Sequence, residues 1–177
     1  MTIAAGAAGL SMLYGLFGGR EDHDITLGEP ETQRGYYLSG ATLTEMGADG
    51  RPKFIVRART IEQRLSDQSV QLSDLALDYR TTDFGPWHVT AREGFMPPDR
   101  QSLQLAGDVT ITGAEARGQA TIRTEHLAYD VERGIVQTAD PVAVRFGSHV
   151  LNARGLRAEL NAGTLRLESD VNGRFVP

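Results

Sequence analysis

Residues 149–171 read HVLNARGLRAELNAGTLRLESDV, and they repeat, with one residue inserted, the stretch HVTAREGFMPPDRQSLQLAGDV at residues 88–109. Both copies open on His-Val, reach Ala-Arg, and close on Leu-x-Leu-x-x-Asp-Val. Such a match means that one supersecondary unit is stacked on another, and a domain built that way works through the surface the stack creates. Two looser copies extend the pattern. Leu127, Tyr129, Val131, Gly134, Val136, Thr138 and Val142 match Leu156, Ala158, Leu160, Gly163, Leu165, Leu167 and Val171 at a constant offset of 29, and Ile61, Leu65, Val70 and Leu72 fit the same frame. The equivalent positions Leu72, Leu105, Thr138 and Leu167 fall 33, 33 and 29 residues apart. Each unit alternates, turns and alternates again, the period-2 signature of paired, half-buried strands.

Apolar residues take one face of each segment: Phe54, Val56 and Ala58; Leu75, Leu77 and Tyr79; Trp87, Val89 and Ala91; Leu103, Leu105, Val109 and Ile111; Leu127 and Tyr129; Val142, Val144 and Phe146; Leu165 and Leu167; Val171 with Phe175. Turn chemistry marks Ala48-Asp49-Gly50 and residues 83–86, 96–99, 132–134 and 161–163. The expectation is an all-β domain of a dozen or more short antiparallel strands: a sandwich, a jelly roll or a β-helix. Aromatic residues make up 7% of the chain, and Leu, Val, Thr and Ala dominate the inner face. Two sheets lined so modestly leave a slot between them that suits flexible hydrocarbon.

At 177 residues and 40% hydrophobic content the chain can bury one core, placed here at residues 35–177. A formal charge of −5 and a pI near 5.4 speak against a nucleic-acid partner, which needs clustered positive charge. There is no Cys, so disulfides and thiolate chemistry are excluded. Residues 3–19 carry no charge. As a helix they span about 25 Å against a hydrocarbon core of about 30 Å, enough for a transmembrane anchor with help from its flanks. The small residues Ala4, Ala5, Gly6, Ala7, Ala8, Gly9 and Ser11 favour close packing on other membrane helices. No Lys or Arg precedes the segment, which favours an uncleaved anchor over a signal peptide. Residues 20–34, acidic and containing Pro30, read as a linker.

Catalytic signals are absent. His23, His88, His126 and His149 show no metal-ligand spacing, and there is neither a Gly-x-Ser-x-Gly nor a phosphate-binding loop, so no metal or cofactor is expected. Asp108 and Asp170 occupy equivalent places and read as turn residues, while His88 and His149, each next to an inward Val, read as outward. Three functions compete: a lipid conduit, a scaffold that recruits partners through sheet edges, and a carbohydrate-active β-enzyme using a pair of inward acids. The first is preferred, with no enzyme activity.

A short apolar N-terminal segment, repeated Leu-x-Leu-x-x-Asp-Val units, and Gly-Leu-x-x-x-Leu-x-x-Gly-x-Leu-x-Leu-x-x-x-Val-x-x-x-Phe at residues 155–175 together resemble the LptC family of lipopolysaccharide-export proteins. The resemblance implies an open, V-shaped β-jelly roll in the periplasm, held to the bacterial inner membrane by a single pass beside an ABC transporter. It implies two functionally sensitive turn glycines, at Gly50 and Gly155, and lipid contacts near Thr42, Leu72, Thr164 and Phe175. The inner-face reading adds Phe54, Val56, Leu77, Tyr79, Leu105, Val109, Leu127, Tyr129, Val144, Phe146, Leu165 and Leu167 as lipid-binding candidates. Implied partners are lipopolysaccharide, the transporter, and a second periplasmic jelly-roll protein joined at the C-terminal edge strand; free edges also offer a route to a homodimer. The outgoing edge is expected at residues 171–177 and the incoming one at residues 36–45.

Overall fold

A computed structural model describes residues 35–46, 50–81, 85–115, 118–130, 132–160 and 162–174. The expected membrane segment at 3–19, the linker at 20–34 and Phe175 lie outside the described residues. Among the described residues no helix is long and apolar enough to cross a membrane. The described residues form one antiparallel sheet whose nine strands follow each other in sequence order: β1 (Tyr36–Met46), β2 (Pro52–Gln63), β3 (Val70–Thr81), β4 (Gly85–Met96), β5 (Ser102–Glu115), β6 (Gly118–Asp130), β7 (Ile135–Phe146), β8 (His149–Glu159) and β9 (Thr164–Arg174).

These strands are longer and fewer than the sequence reading expects, because each is bent near its middle and the two halves read as separate strands. A line of irregular positions crosses the sheet. Gly40 faces Arg59, Arg59 faces Asp74, and Asp74 faces Arg92. Farther along, Gly107 and Asp108 face Glu125 alone, and Ala139 and Asp140 face Gly155 alone. On the last pair, Asp170 and Val171 face Ala153 alone. Two residues opposite one is a β-bulge, which bends the strand. Gly40, Asp74, Gly107, Asp108, Gly155 and Asp170 all take positive φ on this line. Asp108 and Asp170, expected in turns, are therefore mid-strand bulge residues; Asp tolerates the left-handed region because its short side chain bonds locally. Gly155, also expected in a turn, sits at the seam in the middle of β8, whereas Gly50 precedes β2 with φ +73°.

The seam lets both halves of a strand point their apolar residues inward. Along β2, Val56 and Ala58 are buried before it, and Ile61 and Gln63 after it, so the alternation changes phase. The sheet thus folds over on itself into two layers. The lower layer takes residues 36–39, 60–63, 70–73, 93–96, 102–106, 126–130, 135–138, 156–159 and 164–168, and the upper layer takes the other halves. One core cluster joins Ile61, Leu72, Leu105, Leu127 and Leu156 below to Val56, Leu75, Ile111 and Ile122 above. The repeat is the hairpin: Leu72, Leu105, Thr138 and Leu167 stand on β3, β5, β7 and β9, all in the lower layer.

Outside the bend, charges pair between neighbouring strands. Arg59 Nε lies 2.7 Å from Asp74, Arg92 Nη2 lies 3.0 Å from Asp108 and 3.8 Å from Glu125, and Arg154 Nε lies 3.9 Å from Asp170. His126 Nδ1 lies 2.6 Å from Asp140. These pairs are exposed, so each is worth at most about 1 kcal/mol. The β2–β3 turn, which has no Gly or Pro to announce it, is closed by Arg64 N donating to Ser69 O at 3.0 Å. Ser69 N and Oγ both donate to the Asp67 carboxylate, which holds it below the usual carboxylate range.

A side chain at Gly155 meets two obstacles. Its φ is +83°, and a Cβ there would lie 2.5 Å from Glu168 Oε2 on β9. Gly155→Val is expected to lower the unfolding free energy by about 1–3 kcal/mol, the cost of a β-branched residue in the left-handed region. Urea denaturation followed by circular dichroism measures it; an unchanged midpoint would show that the seam does not need this glycine.

Candidate functional site

The inner face of the upper layer is built from rows of cross-strand partners. Its middle row runs Leu43, Val56, Leu77, Val89, Ile111, Ile122, Val144, Leu151 and Gly173, each in register with the next from β1 to β9. No polar side chain interrupts it. Nearer the mouth runs a second row of Tyr79, Trp87, Gly113, Ala120, Phe146 and His149. Trp87 lies across Gly113, where an added Cβ would stand 2.5 Å from the indole ring. In the lower layer Leu38, Ile61, Leu72, Gly94, Leu105 and Leu127 are in register, and Thr138, Leu156 and Leu167 continue on β7 to β9. Leu103, Tyr129, Val136, Ala158 and Leu165 form the row at its mouth.

Between β2 and β8 the two layers close on each other. Val56, Leu72, Leu105, Val109, Ile111, Ile122, Leu127, Val142 and Leu156 are all buried, at 0–9% exposure. The slot expected from small inner residues is therefore filled there by the chain's own side chains, because the bend brings Leu rows of one layer against Ile and Val rows of the other. At the mouth, burial pushes the Tyr129 phenol up to about 12, and repulsion from Tyr79 of the upper layer and from Asp130 adds to the effect. Toward β9 the apolar face is uncovered. Leu165 is 50% exposed and Val171 54%, against 1% for Leu156 one strand inward. A depression of about 910 Å³ also exists, but on the outer side of the lower layer, among Gln71, Glu93, Phe95, Gln104, His126 and Asp140. It is not part of the trough.

Most of the candidates named from sequence meet on this inner face: Val56, Leu72, Leu77, Tyr79, Leu105, Val109, Leu127, Tyr129, Val144, Phe146, Leu165 and Leu167. Phe54 is in register with Tyr79 through its backbone. Thr42 and Thr164 are corrected: both are exposed and stand one residue out of phase with the inner positions Leu43 and Leu165, on the outer face. Leu151 and Ala153 are inner-face residues that sequence reasoning missed, along with the inward place of His149. The residue inserted before Ala153 is the reason. Aligned on their Ala-Arg pairs, whose alanines are buried, the copies put Leu151 where Val89 stands and His149 where Trp87 stands, so His149 turns inward to pair with Phe146. His88 is outward, its Nδ1 2.6 Å from Asp78, and His88 with Arg57 holds that carboxyl below its ordinary range. The edges fall as expected, on β1 and β9, although the last strand starts earlier, at Thr164.

A family model described as lipopolysaccharide-assembly, LptC-related, matches residues 2–176. No curated protein matches the chain.

The raised phenol at the mouth fixes a pH dependence. Desolvation keeps Tyr129 neutral in the fold, so its contribution to stability is complete below the ordinary Tyr value of about 10 and is lost as pH rises through about 12. In ultraviolet difference titration Tyr129→Phe should remove an ionisation step near pH 12. Loss of a step near pH 10 instead would mean that the mouth is open to water.

Proposed function

The chain belongs to the LptC family, which ties it to lipopolysaccharide transport, and we propose that its inner face binds the acyl chains of lipopolysaccharide and passes the glycolipid from an inner-membrane ABC transporter to a second periplasmic jelly-roll protein. The observation that carries this reading is the apolar row that runs unbroken from Leu43 on β1 to Leu151 on β8 and meets an uncovered edge at Leu165 and Val171. Each CH₂ kept from water is worth about 0.8 kcal/mol, so a tail of a dozen carbons needs roughly 10 kcal/mol of shelter. A continuous apolar floor supplies it at every point of the path.

The filled interior sets how a tail is held. Among the described residues β1 bonds only to β2 and β9 only to β8, and no hydrogen-bond ladder closes the mouth. Side-chain contacts alone hold the layers together there, and hydrocarbon can replace such contacts without leaving a backbone group unpaired. The tail lies first against Leu165, Leu167 and Val171, and parts the layers as it advances. The exposed ladder of β9 takes the next protein's edge strand, extending the trough, and β1 receives the incoming one. In this arrangement residues 3–19 are the single membrane pass and residues 35–177 stand in the periplasm.

A scaffold that recruits partners through β1 and β9 without carrying lipid is the second reading, and the burial of the core between β2 and β8 favours it. Photo-crosslinking in membranes with the full chain separates the two. Photoreactive residues at Leu165, Leu167 and Phe175 should label lipopolysaccharide, and one at outward Arg166 should not. Equal labelling at both faces, or none at Leu165 and Leu167, sinks the conduit.

A further inference from the structure

The outer face of the upper layer has a charge pattern unlike the seam. Two of its rows are Thr42, Arg57, Ala76, Thr90, Thr110, Arg123, Ala143, Asn152 and Asn172, and Thr44, Ile55, Asp78, His88, Thr112, Thr121, Arg145, Val150 and Arg174. Asp78 is the one carboxylate in these two rows, and Arg57 and His88 already hold it, at 2.5 and 2.6 Å. Arg123, Arg145 and Arg174 are exposed and form no ion pair among the described residues. They are close together. Arg145 is the diagonal neighbour of Arg123 across β6 and β7, about 7–8 Å away, and Arg174 lies two strands from Arg145, about 10 Å. Asn152, Asn172 and Thr121 supply neutral hydrogen-bonding groups beside them.

We propose that Arg123, Arg145 and Arg174 form a binding site for the phosphate groups of the lipopolysaccharide headgroup while its acyl chains lie against the inner face of the same edge. This rests on the lipid-conduit reading above. Planar guanidinium groups bind phosphate through paired hydrogen bonds, and these three, with no ion pair among the described residues, gather positive charge on a chain whose net charge is −5. The position fits an amphipathic cargo. Arg174 is the neighbour of Gly173, which ends the inner apolar row, so the wet cationic patch and the greasy edge at β9 are one sheet thickness apart. The outer depression of the lower layer, with Glu93, Asp140 and Glu168 in its lining, repels the same groups.

The test uses the full chain in phosphatidylcholine nanodiscs, titrated with intact and with dephosphorylated lipopolysaccharide, as wild type and as the triple variant Arg123→Gln, Arg145→Gln, Arg174→Gln. Intact lipopolysaccharide should bind the variant at least roughly ten-fold more weakly than wild type, the effect of losing charge-assisted contacts, while the dephosphorylated form binds both equally and so reports an intact trough. Equal loss for the two ligands, or no loss for either, overturns the headgroup site and leaves the conduit standing. Failure of wild type to bind either ligand overturns the conduit and the site together. Phosphatidylglycerol vesicles are added as competitor; if they displace intact lipopolysaccharide as well as free lipopolysaccharide does, the patch recognises an anionic bilayer, and the assignment is wrong.

Discussion

A nine-stranded sheet with one apolar face has to hide that face, and this chain has no second element to cover it among the described residues. Bending every strand along one line is the solution, and the rest of the structure depends on it. Alternation is strict in a strand, so a plain bend would leave the far half with its leucines pointing outward. The residue skipped at the seam restores them. On β3, β5, β8 and β9 the seam passes through backbone in the left-handed region, which is where glycine stands at Gly107 and Gly155 and aspartate at Asp74, Asp108 and Asp170, whereas β2 changes phase without it. The same aspartates then meet arginines from the neighbouring strands. Backbone geometry and surface charge are satisfied by one residue type.

The seam also decides what kind of closure the molecule has. Among the described residues the layers are covalently and hydrogen-bond continuous on one side and held by packing on the other. Packing is strong in sum but non-directional, so an acyl chain entering the mouth exchanges one apolar contact for another. A hydrogen-bonded barrel would resist the same entry with a ladder that hydrocarbon cannot replace. Burial in the middle and exposure at β9 are therefore two states of one surface rather than a contradiction: neighbours cover the floor where there are neighbours, and the last strand has none.

Much of this was legible in the sequence, and the part that was not has a common cause. The hairpin repeat could be read because each unit carries its own turn and its own apolar positions, so that Leu72, Leu105, Thr138 and Leu167 fall in one layer as their spacing implies. The inner face could be read wherever alternation is local. The seam could not, because whether a residue is a bulge depends on how many residues its partner strand offers opposite it. Asp108, Gly155 and Asp170 look like turn residues in isolation, and reading them so raised the expected strand count to a dozen or more, against nine among the described residues. The same blindness moved His149 outward, since one inserted residue reverses every position after it, while Thr42 and Thr164 came from the family resemblance and stand one residue off the inner positions Leu43 and Leu165.

Composition misled in a related way. A net charge of −5 suggested that no positive cluster exists, but net charge is a sum over surfaces that face different directions. Folding sorts it. Arginines at the seam are neutralised by acids from adjacent strands, carboxylates collect beside the lower layer's outer depression, and the upper layer near β9 keeps arginines that form no ion pair among the described residues. The sorting follows from the strand period, because residues two apart share a face and residues in register on successive strands share a row. An edge that is apolar on one side and cationic on the other follows from alternation alone, Val144-Arg145-Phe146 on β7 and Gly173-Arg174 on β9. An anionic, acylated sugar needs the same two environments at the same distance.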